Sequence, residues 1–382
     1  MLKFRRSNHI LPQTSDRSRR LATALALSAI FCASAGAPQA RAQEKDANPV
    51  VIDDDGTVHI PPLSVPVSSF LSEQGKAYLT QHLKDMQNKE SKMLPENGVP
   101  FFMKPYMESA KAQFPLDRQE TSIAGVPALV YTPKEGVKPA NKKRVLINLH
   151  GGGFAGCYPG CAELESMPIA SLGGVKVISI DYRQAPKYRF PAASEDVAAV
   201  YRELLKTYPA DRIGIYGCSA GGMLVGMALA WFDKEGLPMP GGAGVFCAGM
   251  TFASSGFGGD AAYIVSPIGE ANMPAEPPPP IGKGLPPLEY LADTKPDDPL
   301  AAPAVSPALL AKFPPTLFIT GTRAFELSSA VYSHGQMVKA GADAQLHVWD
   351  GLFHGFFYNP DVPESRDAYN VIIKFFDKHL AE

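Results

Sequence analysis

The sequence predicts an α/β fold in which a mostly parallel sheet is covered by helices on both faces. From about residue 126 to the C-terminus, short apolar runs typical of buried strands alternate with longer segments of helical periodicity. In addition, a glycine-rich turn around Ser219 connects an apolar strand directly to an apolar helix. Strands that alternate with helices pack as parallel strands with a helix crossing over between them.

The predicted elements follow one another in a regular order. Strands are predicted at residues 128–131, 145–149, 175–180, 213–216, 243–250, 317–320 and 344–349. Helices are predicted at residues 194–206, 220–233, 328–340 and 364–380. In such a sheet the loops after the strands meet at one edge, so we expect the functional residues to lie in those loops.

The first 42 residues have the composition of a signal peptide. Basic residues between Lys3 and Arg20 precede an apolar segment at residues 21–33, and Ala40-Arg41-Ala42 is a small-x-small cleavage site. The apolar segment is too short to anchor the chain in a bilayer. We therefore expect a periplasmic or secreted protein that begins at Gln43 and has no membrane anchor, exported by either the Sec or the twin-arginine route.

Ser219 is the candidate nucleophile. It lies in the segment Gly217-Cys218-Ser219-Ala220-Gly221, between the strand that ends at Tyr216 and the following helix. In this context a G-x-S-x-G segment is typical of a strained turn, where side chains two positions away would collide with the backbone. The pentapeptide alone also fits an ordinary glycine-rich turn, so its significance depends on two further motifs.

These motifs follow two other predicted strands. His150-Gly151-Gly152-Gly153-Phe154 comes after strand 145–149, and loops of this type donate backbone N–H groups to an oxyanion. His354 lies in the loop after strand 344–349, and it is the candidate general base.

Together the motifs resemble the hormone-sensitive-lipase-like branch of the α/β-hydrolases, which are serine carboxylesterases. The resemblance extends from about residue 126 to the C-terminus and comprises HGGGF at 150–154, DYRQAP at 181–186 with FPAA at 190–193, GCSAGG at 217–222, FPPTLFITGTR at 313–323 and DGLFHGF at 350–356. It implies an α/β-hydrolase fold with an N-terminal helical cap, acting on small-molecule esters without a metal or cofactor. A homodimer is also expected from the family.

The resemblance implies that residues 43–125 form an extension and a helical cap over an acyl pocket, and that residues 126–382 form the catalytic domain. Residues 67–114 contain helical stretches with breaks at Pro95, Pro100 and Pro105. Five aromatic and methionine side chains, Phe101, Phe102, Met103, Tyr106 and Met107, are expected either to line the pocket or to form the core of the cap. The segment 252–303, which includes the Pro-rich stretch 274–287, is expected to be an insertion.

The sequence departs from the family pattern at the acid of the catalytic triad. Ala324 stands where the family has an aspartate, although the fold requires a carboxylate between the serine and the histidine in chain order. Glu326, two residues later and with a longer side chain, is the first candidate. Asp260, which follows the preceding strand, is the second, and Asp350 is expected to be structural.

The cysteines near the motifs have two expected roles. Cys218 stands where the family usually has an acidic residue, and we interpret it as a small buried side chain and not as the nucleophile. Cys157 and Cys161 flank a Pro-Gly turn just after the oxyanion glycines, which favours a disulfide over two reduced thiols. They are not accompanied by a second Cys/His pair with the spacing of metal ligands.

The expected chemistry is acyl transfer. His354 would take the proton of Ser219, and the N–H groups of Gly152, Gly153 and Ala220 would stabilise the oxyanion before water releases the acid. The net charge of −2 gives no electrostatic reason to expect nucleic acid as a partner. The alternative left open by Ala324 is a hydrolase-like binding protein with little turnover.

Overall fold

The computed structural model describes residues 50–54, 58–59, 64–87, 101–252, 259–264 and 288–381. The predicted signal peptide, the expected start at Gln43, the breaks at Pro95 and Pro100, and the Pro-rich stretch 274–287 lie outside these residues. The chain divides into two units, Met1–Val65 and Pro66–Glu382. In the first unit the described residues form a short antiparallel pair, β1 (Val51–Ile52) and β2 (Val58–His59).

Within the described part of the second unit, the central feature is an eight-stranded sheet. Its strands are β3 (Leu116–Ile123), β4 (Val126–Pro133), β5 (Val145–Leu149), β6 (Lys176–Ile180), β7 (Ile213–Cys218), β8 (Gly242–Phe246), β9 (Thr316–Arg323) and β10 (Ala344–Phe353). They lie in the order β10-β9-β8-β7-β5-β6-β4-β3. All neighbours from β10 to β6 are parallel, whereas β4 is antiparallel to both β6 and β3. The predicted α/β class with a mostly parallel sheet is confirmed.

Helices cover both faces of this sheet. They are α1 (Glu73–Gln87), α2 (Lys104–Gln113), α3 (Gly160–Gly173), α4 (Ala192–Leu204), α5 (Ala220–Lys234), α6 (Asp260–Ile264), α7 (Pro307–Leu310), α8 (Leu327–Lys339) and α9 (Pro363–His379). Val145 and Ile147 of β5 pack in the core that contains α4 and α5, while Leu146 packs in the core that contains α3 and α9. Alternate side chains of one strand therefore fill two cores, which explains why four of the five residues of β5 are apolar and Asn148 is the exception.

The longest elements that the sequence-based prediction lacks are β3 and α3. The six residues between Leu116 and Ile123 are exposed, so β3 lacks an apolar alternation, and the sheet begins ten residues before residue 126. Helix α3 contains Pro168 and is buried along nearly its whole length. It therefore shows neither an uninterrupted helical pattern nor a polar face.

The predicted strand 243–250 is too long at its C-terminal end. Strand β8 ends at Phe246, because the next residue, Cys247, has a φ of +49°, which is incompatible with an extended strand. Pro105, which was expected to break a helix, lies near the start of α2, where its missing N–H group has no cost. None of the helices in the described part of the chain combines the length and the apolar composition that crossing a membrane requires.

Candidate active site

Ser219 occupies the turn between β7 and α5. Its φ of +59° and ψ of −124° lie in a region that side chains rarely adopt, so the turn stores backbone strain. A Cβ atom at either Gly217 or Gly221 would collide with the carbonyl oxygen of Leu149. The two glycines of the motif are therefore required by the close approach of β5, which explains why the turn can be this tight.

Three side chains predicted from the sequence come together at this turn. The Oγ atom of Ser219 lies 3.0 Å from Nε2 of His354, and Nδ1 of His354 lies 2.9 Å from Oε2 of Glu326. The hydroxyl of Thr320 donates to the other oxygen of Glu326 at 3.1 Å. The carboxylate is fully buried, and these two hydrogen bonds offset the cost of removing it from water.

Glu326 reaches the histidine from an unusual place in the chain. Strand β9 ends at Arg323, and Glu326 directly precedes helix α8, two residues beyond the buried Ala324. The longer glutamate side chain spans this displacement. Of the other candidates, Asp260 is exposed at the start of α6, and Asp350 hydrogen-bonds Ser68 and Thr322. Asp350 therefore has the structural role expected for it.

The predicted oxyanion loop follows β5, the strand adjacent to β7. Gly152 and Gly153 have φ values of +121° and +64°, and a Cβ atom at Gly152 would meet the carbonyl carbon of Gly156 at 2.8 Å. No residue in the described ranges accepts a hydrogen bond from the N–H groups of these two glycines. The N–H of Ala220 lies at the N-terminus of α5, where the helix dipole favours negative charge. Three donors are thus available where β5 and β7 end.

The predicted disulfide between Cys157 and Cys161 is present. It connects the end of the oxyanion loop to the first turn of α3, and both cysteines line the cavity beside Ser219. A crosslink here limits the motion of the loop that carries the N–H donors.

Cys218 and Cys247 are the free cysteines of the described residues, and both are buried. Burial raises the pKa of the Cys218 thiol, so it lacks the thiolate character of a nucleophile. Cys247 Sγ accepts a hydrogen bond from Gly355 N–H at 3.3 Å. This sulfur also lies within 4.8 Å of a carboxylate oxygen of Glu326 and of a ring nitrogen of His354, so the three side chains offer atoms of the kind that bind metal ions. Burial raises the pKa of Cys247, however, which disfavours the thiolate that would bind a metal.

A cavity of about 360 Å³ opens beside Ser219 and His354. One of its sides comes from α1 and from the residues at the start of α2, and the rest comes from the loop after β5, the disulfide and the segment around His354. The lining residues on the first side are Tyr78, His82, Met86, Phe102, Met103 and Tyr106. Of the five side chains at 101–107, Phe102, Met103 and Tyr106 line this cavity, Met107 packs against the hydrophobic core, and that of Phe101 lies outside the described residues.

Glu165 was not identified from the sequence. Its buried carboxylate accepts hydrogen bonds from Asn148 Nδ2 at 2.8 Å, from the N–H of Gly151 at 2.8 Å and from the hydroxyl of Tyr358 at 2.7 Å. It therefore connects β5, the oxyanion loop and the segment after His354. The available signal was an acidic residue within the apolar sequence of α3, which is unusual unless the charge has partners.

The ionisation of Glu165 predicts a pH-dependent stability. Burial raises the pKa of Glu165 from 4.5 to about 7, although its hydrogen bonds oppose the shift. The folded state therefore holds this proton more tightly than the unfolded state, and the associated stability is lost as the pH rises from about 4.5 through 7. Between pH 5 and pH 8 we expect the free energy of unfolding of E165Q to fall by up to about 3 kcal/mol less than that of the unmodified protein.

Urea unfolding at the two pH values measures this difference. E203Q is the matched control, because Glu203 is half-exposed on α4 and is expected to behave like the unmodified protein. Identical pH dependence in E165Q and the unmodified protein would contradict the raised pKa.

The comparisons with known proteins agree with this geometry. A family described as alpha/beta hydrolase fold matches residues 146–358, more than half of the chain. An acetyl-hydrolase from Streptomyces hygroscopicus is 32% identical over 243 residues, which cover 62% of this chain and 77% of that protein. An ethyl acetate hydrolase from Pseudomonas putida is 34% identical over 104 residues, covering 26% of this chain and 32% of that protein.

Solved structures give the same result. The crystal structure of an esterase has a TM-score of 0.68 and 25% identity, covering 85% of this chain and 99% of the other. A hormone-sensitive lipase from a metagenome library has a TM-score of 0.65 and 25% identity, covering 80% of this chain and 98% of the other. The chain therefore belongs to the α/β-hydrolase family and, within it, to the carboxylic ester hydrolases of the hormone-sensitive-lipase-like branch.

Proposed function

We propose that this enzyme hydrolyses esters with short to medium acyl chains through an acyl-enzyme on Ser219. The observation that carries the proposal is the continuous hydrogen-bonded series from Ser219 through His354 to Glu326, placed at the wall of a cavity. A serine hydroxyl is a weak nucleophile until a positioned base takes its proton, and this series supplies the base and the group that orients it.

In the proposed mechanism each atom of the series has a role. Glu326 accepts the Nδ1 proton of His354, so Nε2 is free to take the proton of Ser219 as Oγ attacks the ester carbonyl carbon. The imidazolium then gives this proton to the leaving alcohol. In the second half of the reaction a water molecule gives a proton to Nε2 as its oxygen attacks the acyl carbon. The imidazolium then returns this proton to Oγ as the acyl–oxygen bond breaks, which releases the carboxylic acid and free Ser219.

Negative charge develops on the carbonyl oxygen in both halves of the reaction. The N–H groups of Gly152, Gly153 and Ala220 are the proposed donors to this oxyanion. Each donor of this kind contributes about 3 kcal/mol to the stability of a transition state. Gly151, the preceding residue, is held by Glu165, so the loop keeps its conformation while the charge develops.

The size of the cavity supports a short acyl chain. A cavity of about 360 Å³ accommodates both the acyl and the alcohol part of a small ester. The relatives named acetyl-hydrolase and ethyl acetate hydrolase support the same size class.

We expect the hydrolysis rates of p-nitrophenyl esters to show an upper limit on the length of the acyl chain. The kcat/KM value should be highest between acetate and butyrate and at least about tenfold lower for decanoate, because a long chain cannot be enclosed with its alcohol part. Initial rates across the series measure the profile, with S219A giving the background. A profile that rises steadily to decanoate would contradict the assignment of this cavity as the acyl site.

No observation favours the alternative of a binding protein with little turnover. Its basis was the missing aspartate at Ala324. The carboxylate of Glu326, 2.9 Å from His354 Nδ1, is in a position to serve the histidine instead.

A further inference from the structure

Two adjacent residues at the end of β8 hold the segments that carry the nucleophile and the base. The carbonyl oxygen of Phe246 accepts the backbone N–H of Ser219 at 2.9 Å. The Sγ atom of Cys247 accepts the backbone N–H of Gly355, the residue that follows His354, at 3.3 Å. Both segments that form the 3.0 Å contact between Oγ and Nε2 are therefore bonded to the same short stretch of chain.

Cys247 has a strained backbone. Its φ of +49° lies in the left-handed region, and its N–H donates to the carbonyl oxygen of Ile319 on β9 at 2.8 Å. Such strain persists only where the surrounding structure holds the residue in place, and it is frequent at active sites. The side chain is buried, with its sulfur within 4.8 Å of a carboxylate oxygen of Glu326 and a ring nitrogen of His354. The strained turn thus places a buried side chain next to the catalytic base.

The N–H group of Gly355 depends on this sulfur. Among the residues that the structure describes, it has no second acceptor. A buried donor without a partner is unfavourable, so without the sulfur the segment is expected to move toward another acceptor. Gly355 has a φ of +69° and leads into a short helical turn, Phe356–Tyr358, so such a movement begins directly beside His354.

The acceptor is uncharged. Burial raises the pKa of Cys247, so the thiol keeps its proton at neutral pH. Its sulfur therefore accepts the N–H of Gly355 without adding a negative charge beside Glu326. A second negative charge there would disfavour the ionised form of Glu326, which the mechanism requires.

We propose that Cys247 is a positioning residue for the catalytic base. Its sulfur holds Gly355, and through it His354, at the distance from Ser219 that proton transfer requires. Cys247 is not among the described residues that line the cavity, so it acts through the histidine and not on the substrate. The inference rests on the proposed function and goes beyond it, because the triad and the oxyanion loop do not specify what fixes the histidine segment.

The test compares variants with and without an acceptor at this position. C247A removes the acceptor, whereas C247S keeps an uncharged one. We expect C247A to lower kcat for p-nitrophenyl acetate by at least about tenfold, because a small displacement of the base slows proton transfer. KM should change by less than about twofold, because the residues that line the cavity are unchanged. C247S should recover most of the lost kcat.

C218A is the matched control, because it removes a second buried thiol, from the residue that precedes Ser219. A general effect of deleting a buried sulfur atom would appear in both variants, whereas we expect kcat to fall in C247A alone. If C247A does not fold, C247G gives the same comparison, since glycine adopts a φ of +49° without strain and also lacks the acceptor.

A purely structural role of Cys247 predicts that C247A unfolds at a lower urea concentration but keeps an unchanged kcat, and this result would overturn the inference. A kcat in C247S as low as that in C247A would also overturn it, since the acceptor would then be irrelevant. Hydrolysis that persists in S219A would instead contradict the proposed function. The inference alone fails when S219A is inactive and C247A is as fast as the unmodified enzyme.

Discussion

Replacing Ser219 with alanine is expected to lower kcat by about 10⁶-fold. In the proposed mechanism the hydroxyl oxygen forms the acyl-enzyme, and no neighbouring group takes its place. The proposed oxyanion donors, Gly152, Gly153 and Ala220, remain in the variant, so a residual acceleration of about 10³-fold over water is expected. Measurements of kcat on p-nitrophenyl acetate at high enzyme concentration separate the residual rate of S219A from the rate without enzyme.

C218A is the matched control for this prediction. Cys218 is adjacent in the chain and fully buried, and its thiol is the alternative nucleophile that the sequence allows. Because burial raises the pKa of Cys218, we expect C218A to keep its activity within a few-fold. Activity that survives in S219A but disappears in C218A would assign the nucleophile to the cysteine.

The second large effect is expected at Glu326. E326Q should lower kcat by about 10⁴-fold, since the glutamine amide cannot replace the carboxylate that holds the Nδ1 proton and stabilises the imidazolium. KM should change little, because Glu326 is buried behind His354 and does not line the cavity.

D260N and D350N are the controls, because these residues were the other acids considered for the triad. Asp260 is exposed, and Asp350 hydrogen-bonds Ser68 and Thr322, so we expect both variants to stay within a few-fold of the unmodified enzyme. A loss in either variant as large as that in E326Q would contradict the assignment of Glu326 as the acid.

The parts of the fold that were predictable have local signals. Strands β5 and β7 are buried on both faces and therefore appear as apolar runs, and the turn at Ser219 and the loop at Gly152 require glycines that are visible in the sequence. Strand β3 has no such signal, because its exposed residues are free to be polar.

The residues of the candidate site also divide into those with a local signal in the sequence and those without one. The first choice of Glu326 over Asp260 rested on its place in the same loop as Ala324 and on the length of its side chain, and the structure brings Glu326 into contact with His354. Glu165 was out of reach, because what distinguishes it is a set of contacts between distant segments. Asn148, Gly151 and Tyr358 converge on its carboxylate.

Covalent labelling tests the central claim, the role of Ser219 as the nucleophile, most directly. Diethyl p-nitrophenyl phosphate is attacked at phosphorus by an activated serine, which gains a diethylphosphoryl group as p-nitrophenol leaves. The account predicts one equivalent of adduct, located on Ser219 by peptide mass spectrometry, with a parallel loss of esterase activity. Full activity after treatment with excess reagent, or inactivation with the adduct on another residue, would contradict it.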